Sequence, residues 1–172
     1  MNSNHDITRS IFTTGLKNAH AMEKQALSIM QPQVRRIENY PEVAARLEEH
    51  IRETEGQIER LETLLEGLDE SHSSLKDAAL SAVGTMAALG HSVAGDEIIK
   101  NSLANFAFEN YEIAAYNSLI VLAEGGMFDQ AIEALQKNLA EEEAMAEWLK
   151  QNLRTVTLRF AQLSDSGESA KI

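Results

Sequence analysis

The 172-residue chain is expected to fold as an all-α domain of four long helices, with a long connection between the second and the third. Three observations carry that expectation. Apolar residues recur at spacings of three and four along almost the whole chain, which is the period of one helix face. Glycine and proline number only 9 and 2, too few for a turn-rich fold. The acids are 21 Glu against 6 Asp, beside 23 Ala and 19 Leu, so most come from a strong helix former.

The first helix is read over residues 6–30, with Phe12, Leu16, Ala19, Glu23, Ala26 and Met30 on one stripe. Pro32 ends or kinks it. Asn39-Tyr40-Pro41 opens the second helix, since proline is tolerated in a first turn. That helix carries Leu47, Ile51, Thr54, Ile58, Leu61, Leu65 and Leu68 in a heptad-like stripe. A serine-rich stretch follows, then a small-residue helix over residues 75–89, then Gly90 and Gly95. Asp96 is placed to cap the third helix, which runs to a Gly125-Gly126 break with Phe106, Glu109, Ile113, Tyr116 and Ile120 on one stripe. The fourth starts near Asp129 and carries Leu135, Leu139, Glu142, Ala146, Leu149 and Leu153. Residues 155–163 read as a short last helix, which closes a single domain of residues 1–163, and residues 164–172 as a flexible tail.

Connection lengths set the topology. Short links make antiparallel hairpins of helices one and two and of helices three and four. The middle link, roughly 25 residues and partly helical, is long enough to return along a second helix of roughly 40 Å. Helices two and three are then parallel, which is the ferritin-like four-helix arrangement. The alternative is a five-helix bundle in which residues 75–89 join the core.

Composition removes several functions. With no cysteine there is no disulfide scaffold, thiol nucleophile or thiolate metal site. A net charge of −12 opposes nucleic acid and anionic membranes. The longest apolar run, residues 119–123, is far short of a membrane span. No signal peptide is evident, so a cytoplasmic location is expected. No phosphate-binding glycine loop, GxSxG elbow or HExxH motif occurs.

Most of the 27 acids belong to solvated helix faces. The informative ones lie on apolar stripes, because a buried carboxylate is costly unless it is paired or metal-bound. Glu23, Glu109 with Glu112 one turn on, and Glu142 meet that description on three helices. On the second helix His50 and Glu53 lie beside the main stripe, with Gln57 a turn further. An inward carboxylate from each helix is what a dinuclear centre in a bundle core needs, since oxygen ligands suit hard and borderline divalent ions. The spacing departs from the paired Glu-x-x-His of known bundle centres: the order in residues 50–53 is reversed and the fourth helix has no histidine. Beside these stand plainer readings. His20 is an interior histidine bonded to a neighbouring carboxylate; His50 is open between ligand, supporting partner and exposed residue; Tyr116 packs in the core with its hydroxyl on a carboxylate. His5, His72 and His91 carry no spacing signal, and Trp148 and the methionines read as packing.

The strings NAHAMEKQALSIM, NYPEVAARLEEHIRETEGQIERLETLLEG, FENYEIAAYNSLI and EEEAMAEWL resemble the YciE/YciF family of bacterial stress-associated ferritin-like proteins, nearer its YciE side, over about residues 12–153. The resemblance implies a ferritin-like bundle, stress-linked expression and a dinuclear iron or similar centre. Family positions that face the metal fall here on Glu23, Glu53, Glu109, Glu112 and Glu142, and His50 also matches. YciF-like members often carry Asp where this chain has Ala146.

The expected function is therefore a stress protein with a dinuclear iron or manganese centre that reacts with peroxide or oxygen. Glu53 and Glu142 are expected as bridging carboxylates, with Glu23, Glu109 and Glu112 as terminal ligands. The alternative is a non-enzymatic helical-bundle stress protein with no functional metal, its inward acids paired with His20, His50, Arg52 or water, acting through protein partners. Long helices with broad apolar stripes favour a homodimer.

Overall fold

The computed structural model describes residues 2–68 and 94–172. Four helices make the architecture: α1 (Asn2–Arg36), α2 (Pro41–Glu66), α3 (Glu97–Gly126) and α4 (Asp129–Ser166). Among the described residues there is no strand, and no helix is long and apolar enough to cross a membrane. The helix expected over residues 75–89, with His72 and His91, lies outside the described residues.

Pairings along the helices fix their directions. Arg9 donates to the Leu68 carbonyl at 3.1 Å and His20 meets Glu62 at 2.8 Å, so α1 and α2 are antiparallel. Gly15 lies against Leu119, Tyr116 meets Glu23, Gln33 meets Asn105 and Arg36 meets Glu97, so α1 and α3 are antiparallel too. Both α2 and α3 oppose α1 and are therefore parallel to each other. Leu68 ends at the pole where α1 begins, and Glu97 starts at the pole where α1 ends. This is the crossover topology the connection lengths predict, and α4 completes it by running against α2, with His50 facing Glu142 and Arg60 donating to Asn138.

Apolar side chains fill both poles. Phe12, Leu16, Leu61, Leu65, Leu119, Phe128 and Leu135 occupy one, and Met30, Tyr40, Val43, Leu47, Ile98, Leu149 and Val156 the other. Between them lies a buried polar layer containing Glu23, His50, Thr54, Gln57, Glu109, Glu112, Asn138 and Glu142. Burying such a layer is costly, so its composition has to be explained by what it holds.

The ends of the helices differ from expectation in three places. α1 passes through Pro32 to Arg36. An interior proline costs about 3 kcal/mol; here the turn beyond it is held by two reciprocal Gln33–Asn105 amide bonds, 3.2 and 2.9 Å, and by Arg36 on Glu97. The Gly125-Gly126 break stands where it is expected: α3 runs to Gly126 and turns at Met127, which takes the left-handed conformation at φ 59°. Glycine is needed at 126 for close approach, because a side chain there would collide with the Phe128 ring. That ring stacks on Phe12 at 4.7 Å and closes the pole. Asp96 stands before α3 but makes no side-chain cap; its carboxylate pairs with Lys100 at 2.7 Å. Finally, the separate helix expected over residues 155–163 is the unbroken end of α4, which stops at Gly167.

The last residues are docked rather than loose. The Asn39 N–H donates to the Ile172 carbonyl, the Ile98 N–H to that of Lys171 at 2.9 Å, and the Tyr40 hydroxyl to that of Ala170 at 2.7 Å. Ala170 and Ile172 are buried. Lys171 also approaches Glu97, and Arg36 and Lys171 together overcome burial to hold the Glu97 carboxyl below its ordinary range.

Candidate metal centre

Each helix contributes to the polar layer through its core-facing stripe. Glu23 follows Leu16 and Ala19 on α1, and Glu142 follows Leu135 and Asn138 on α4. On α3 Glu109 and Glu112 face inward together. On α2 the inward stripe is Leu47, His50, Thr54, Gln57 and Leu61. His50 is thus on the stripe, not beside it.

His50 organises one half of the layer. Its Nε2 lies 3.2 Å from Glu109 Oε2 and 3.3 Å from Glu142 Oε2, and one ligand atom from each of these three residues lies within 4.8 Å of the others. Its Nδ1 is 2.8 Å from Glu53. Burial works against a charged imidazole here, but Glu109, Glu142 and Glu53 outweigh it and raise the His50 pKa well above the ordinary histidine value.

Glu23 and Glu112 form the other half, against Glu142. Glu23 accepts a 2.5 Å bond from the Tyr116 hydroxyl, which in turn accepts from Asn138 at 2.9 Å. Its second oxygen has no hydrogen-bond partner. Glu112 is fully buried, and neither of its oxygens has a partner. Burial and the facing charges raise both acids well above the carboxylate range, Glu142 acting on Glu23, and Glu23, Glu142 and Glu109 on Glu112. Glu142, pushed up by burial against its bond to His50, reaches about 7. Tyr116 is raised as well, by burial and then by Glu23.

The donor set fits a divalent cation. Two buried carboxylates, Glu109 and Glu142, meet at His50, and Glu23 and Glu112, which face Glu142, each have an oxygen without a hydrogen-bond partner. A histidine that offers Nε2 to the centre and holds a carboxylate on Nδ1 is the usual arrangement for a metal ligand, with the outer carboxylate fixing the ring.

Of the six residues expected from the sequence, Glu23, His50, Glu109, Glu112 and Glu142 come together. Glu53, expected as a bridge, is outside the group. Its carboxylate faces His50 Nδ1 and Arg46 Nη1, and the His50 bond, with Arg46 behind it, keeps it below the ordinary range. The reason is angular: the inward stripe is centred on Thr54 and Leu61 with His50 on one margin, and Glu53 falls beyond that margin, so it reaches His50 from the flank. His20 takes the plainer reading, bonded to Glu62. Gln57 is buried beside Glu141, which Arg60 also contacts. Asn138, which holds Tyr116, escaped the sequence reading, although it sits one turn before Glu142 on the same stripe.

The profile of the DUF892 family, a domain of unknown function, matches residues 8–162. The chain belongs to the DUF892 family. Escherichia coli (strain K12) YciF is 30% identical over 145 residues, covering 78% of this chain and 82% of that protein. Among solved structures, a protein of Xanthomonas campestris pv. campestris shares 30% identity with a TM-score of 0.76, covering 92% of this chain and 99% of that one. The structure of the E. coli stress protein YciF shares 23% identity with a TM-score of 0.64, over 85% and 94% of the two chains, and supports the DUF892 fold alone. The YciE/YciF resemblance stands on these matches.

Proposed function

We propose that this is a cytoplasmic stress protein whose buried carboxylate–histidine layer binds two iron or manganese ions and works against peroxide or oxygen. One observation carries the reading: Glu112, fully buried among Glu23, Glu109 and Glu142, has no partner for either oxygen. An isolated buried carboxylate would stay protonated, and four together call for a cation. His50, Glu109 and Glu142 would hold one ion; Glu23 and Glu112 would hold the second, with Glu142 shared because it faces both halves. The bound metal would supply the redox chemistry. The protein's part is to orient the ligands, through Glu53 on His50 and Tyr116 on Glu23, and to keep water out between two apolar poles.

The test is metal analysis after anaerobic loading with Fe(II) or Mn(II), followed by a peroxide-consumption assay. The reading expects close to two ions per chain in the wild type and a clear loss in Glu142→Gln and Glu112→Gln. Absence of stoichiometric metal, or content unchanged by Glu142→Gln, refutes it.

The same reading includes a homodimer. Between Lys100 and Glu124 the only charges on α3 are Glu109 and Glu112, both buried. The outer face therefore presents Leu103, Tyr111 and Val121, 50–66% exposed, with Ala107 and Ala114 and no charge. Asn110, Asn117 and Ser118 share that face; two copies of a chain at −12 repel over most approaches, and an uncharged face is where they meet without like charges opposed.

A further inference from the structure

The polar layer touches the exterior differently on its two sides. On the α2–α4 side the neighbours of the layer are ionic: Arg46, Glu49 and Glu53 form one cluster, and Arg60 with Glu141 another. On the opposite side, between α1 and α3, a narrow crevice leads inward. Its walls are Ile29, Met30 and Phe108, with Ala26 and Ala104 as the small residues that leave it open. Asn105 also lines it, but its amide is tied to Gln33 by two bonds. Glu109 lies at its inner end, almost fully buried, with Oε2 facing His50 Nε2 at 3.2 Å.

We propose that this crevice is the path by which a neutral molecule the size of dioxygen or peroxide reaches the centre. The inference rests on the metal-centre reading for its destination, but the path is a property of the chain itself. Two physical points carry it. Its volume for a water-sized sphere is about 10 Å³, close to what one such molecule occupies, so size alone excludes anything much larger. Apart from the Asn105 amide, which Gln33 holds, its walls are apolar before Glu109, so an ion would shed its hydration with little in exchange, at a cost of several kcal/mol. A neutral di- or triatomic molecule bears no such cost. The small side chain at 104 is the specificity-determining position, because it sits at the half-buried mouth, where extra bulk closes the path without entering the core.

Two experiments test the path independently of any turnover. In metal-free protein under oxygen pressure, the methyl groups of Ala26 and Met30 should show stronger paramagnetic relaxation by dissolved oxygen than those of Leu61 and Leu65. All four residues are buried, but the leucines are remote from the crevice. The excess should vanish in Ala104→Trp and fall in the milder Ala104→Leu. In Fe(II)-loaded protein, nitric oxide association should slow by about tenfold or more in Ala104→Trp, with iron content unchanged. Equal relaxation at Ala26 and Leu65, or relaxation and association rates insensitive to Ala104→Trp, would overturn the proposal. If iron fails to load, the metal reading falls, while the relaxation measurement still decides the crevice.

Discussion

Replacing Glu142 by Gln should make the metal-free protein more stable at alkaline pH, which is unusual for removal of a buried charge. In the native state the Glu142 carboxyl is raised from 4.5 to about 7 by burial, with its bond to His50 pulling the other way. Between those values the folded protein holds a proton that the unfolded chain has released, so stability falls as pH rises through the window. The whole rise is worth about 3 kcal/mol, or roughly 6–12 °C in Tm for a chain of this size. His50 acts in the same direction, because its raised pKa favours folding below the ordinary histidine value and that benefit is lost as the imidazolium deprotonates. Glu53, with its lowered pKa, contributes stability that is lost only on acidification and does not mask the effect. In Glu142→Gln the side chain keeps its size and loses only its ionisation. Urea unfolding followed by helical circular dichroism in the presence of a chelator should therefore show Glu142→Gln ahead of wild type by about 3 kcal/mol at pH 8.5 and by under about 1 kcal/mol at pH 5. With metal bound the order should invert, because binding selects the ionised carboxylate. Metal-free wild type equally stable at both pH values, or Glu142→Gln no more stable at pH 8.5, would refute the reasoning.

Three further substitutions separate the roles of neighbouring groups. Glu53→Gln should weaken metal binding by about 10–100-fold through loss of the carboxylate that orients His50, read by competition with a chromophoric chelator, while circular dichroism stays unchanged. Tyr116→Phe should cost about 1–3 kcal/mol, because Glu23 and Asn138 each lose a buried partner; denaturant unfolding measures it, and metal stoichiometry should remain. Val121→Glu should turn the dimer into a monomer in sedimentation, since a two-fold contact would bring two new charges onto an uncharged face.

Much of this was readable from spacing. Glu23, Glu109 and Glu142 stood out because an acid in phase with leucines and alanines over several turns has nowhere to point but inward, and the α1–α3 pairings confirm that phase. The parallel run of α2 and α3 was readable from connection length alone. The α2 contribution was not, because counting Ile51 as a core position turns the helix face by one residue. In the structure Ile51 is half-buried, whereas His50 is 1% exposed. That rotation moved His50 to the margin, and Glu53 entered through the family resemblance rather than through the stripe. Contacts between distant ends were equally invisible: the junction of Arg36, Glu97 and Lys171 joins three segments whose meeting depends on the finished bundle. The docked C-terminal residues share that cause, for their polar sequence gives no periodicity to read.

The polar layer crosses all four helices between their ends, and this has a dynamic consequence. No helix keeps an unbroken apolar seam from pole to pole, so without a cation the bundle is two greased ends joined by a repelling waist. Fluctuations should concentrate there. Amide exchange in metal-free protein is expected to be slow near Leu16 and Leu47 and quicker around Glu23, Glu112 and Glu142, a profile opposite to ordinary fraying from the ends. A bound ion would act as a clamp on that breathing, so that rigidity at the waist would report on loading and would be absent until all four helices had met.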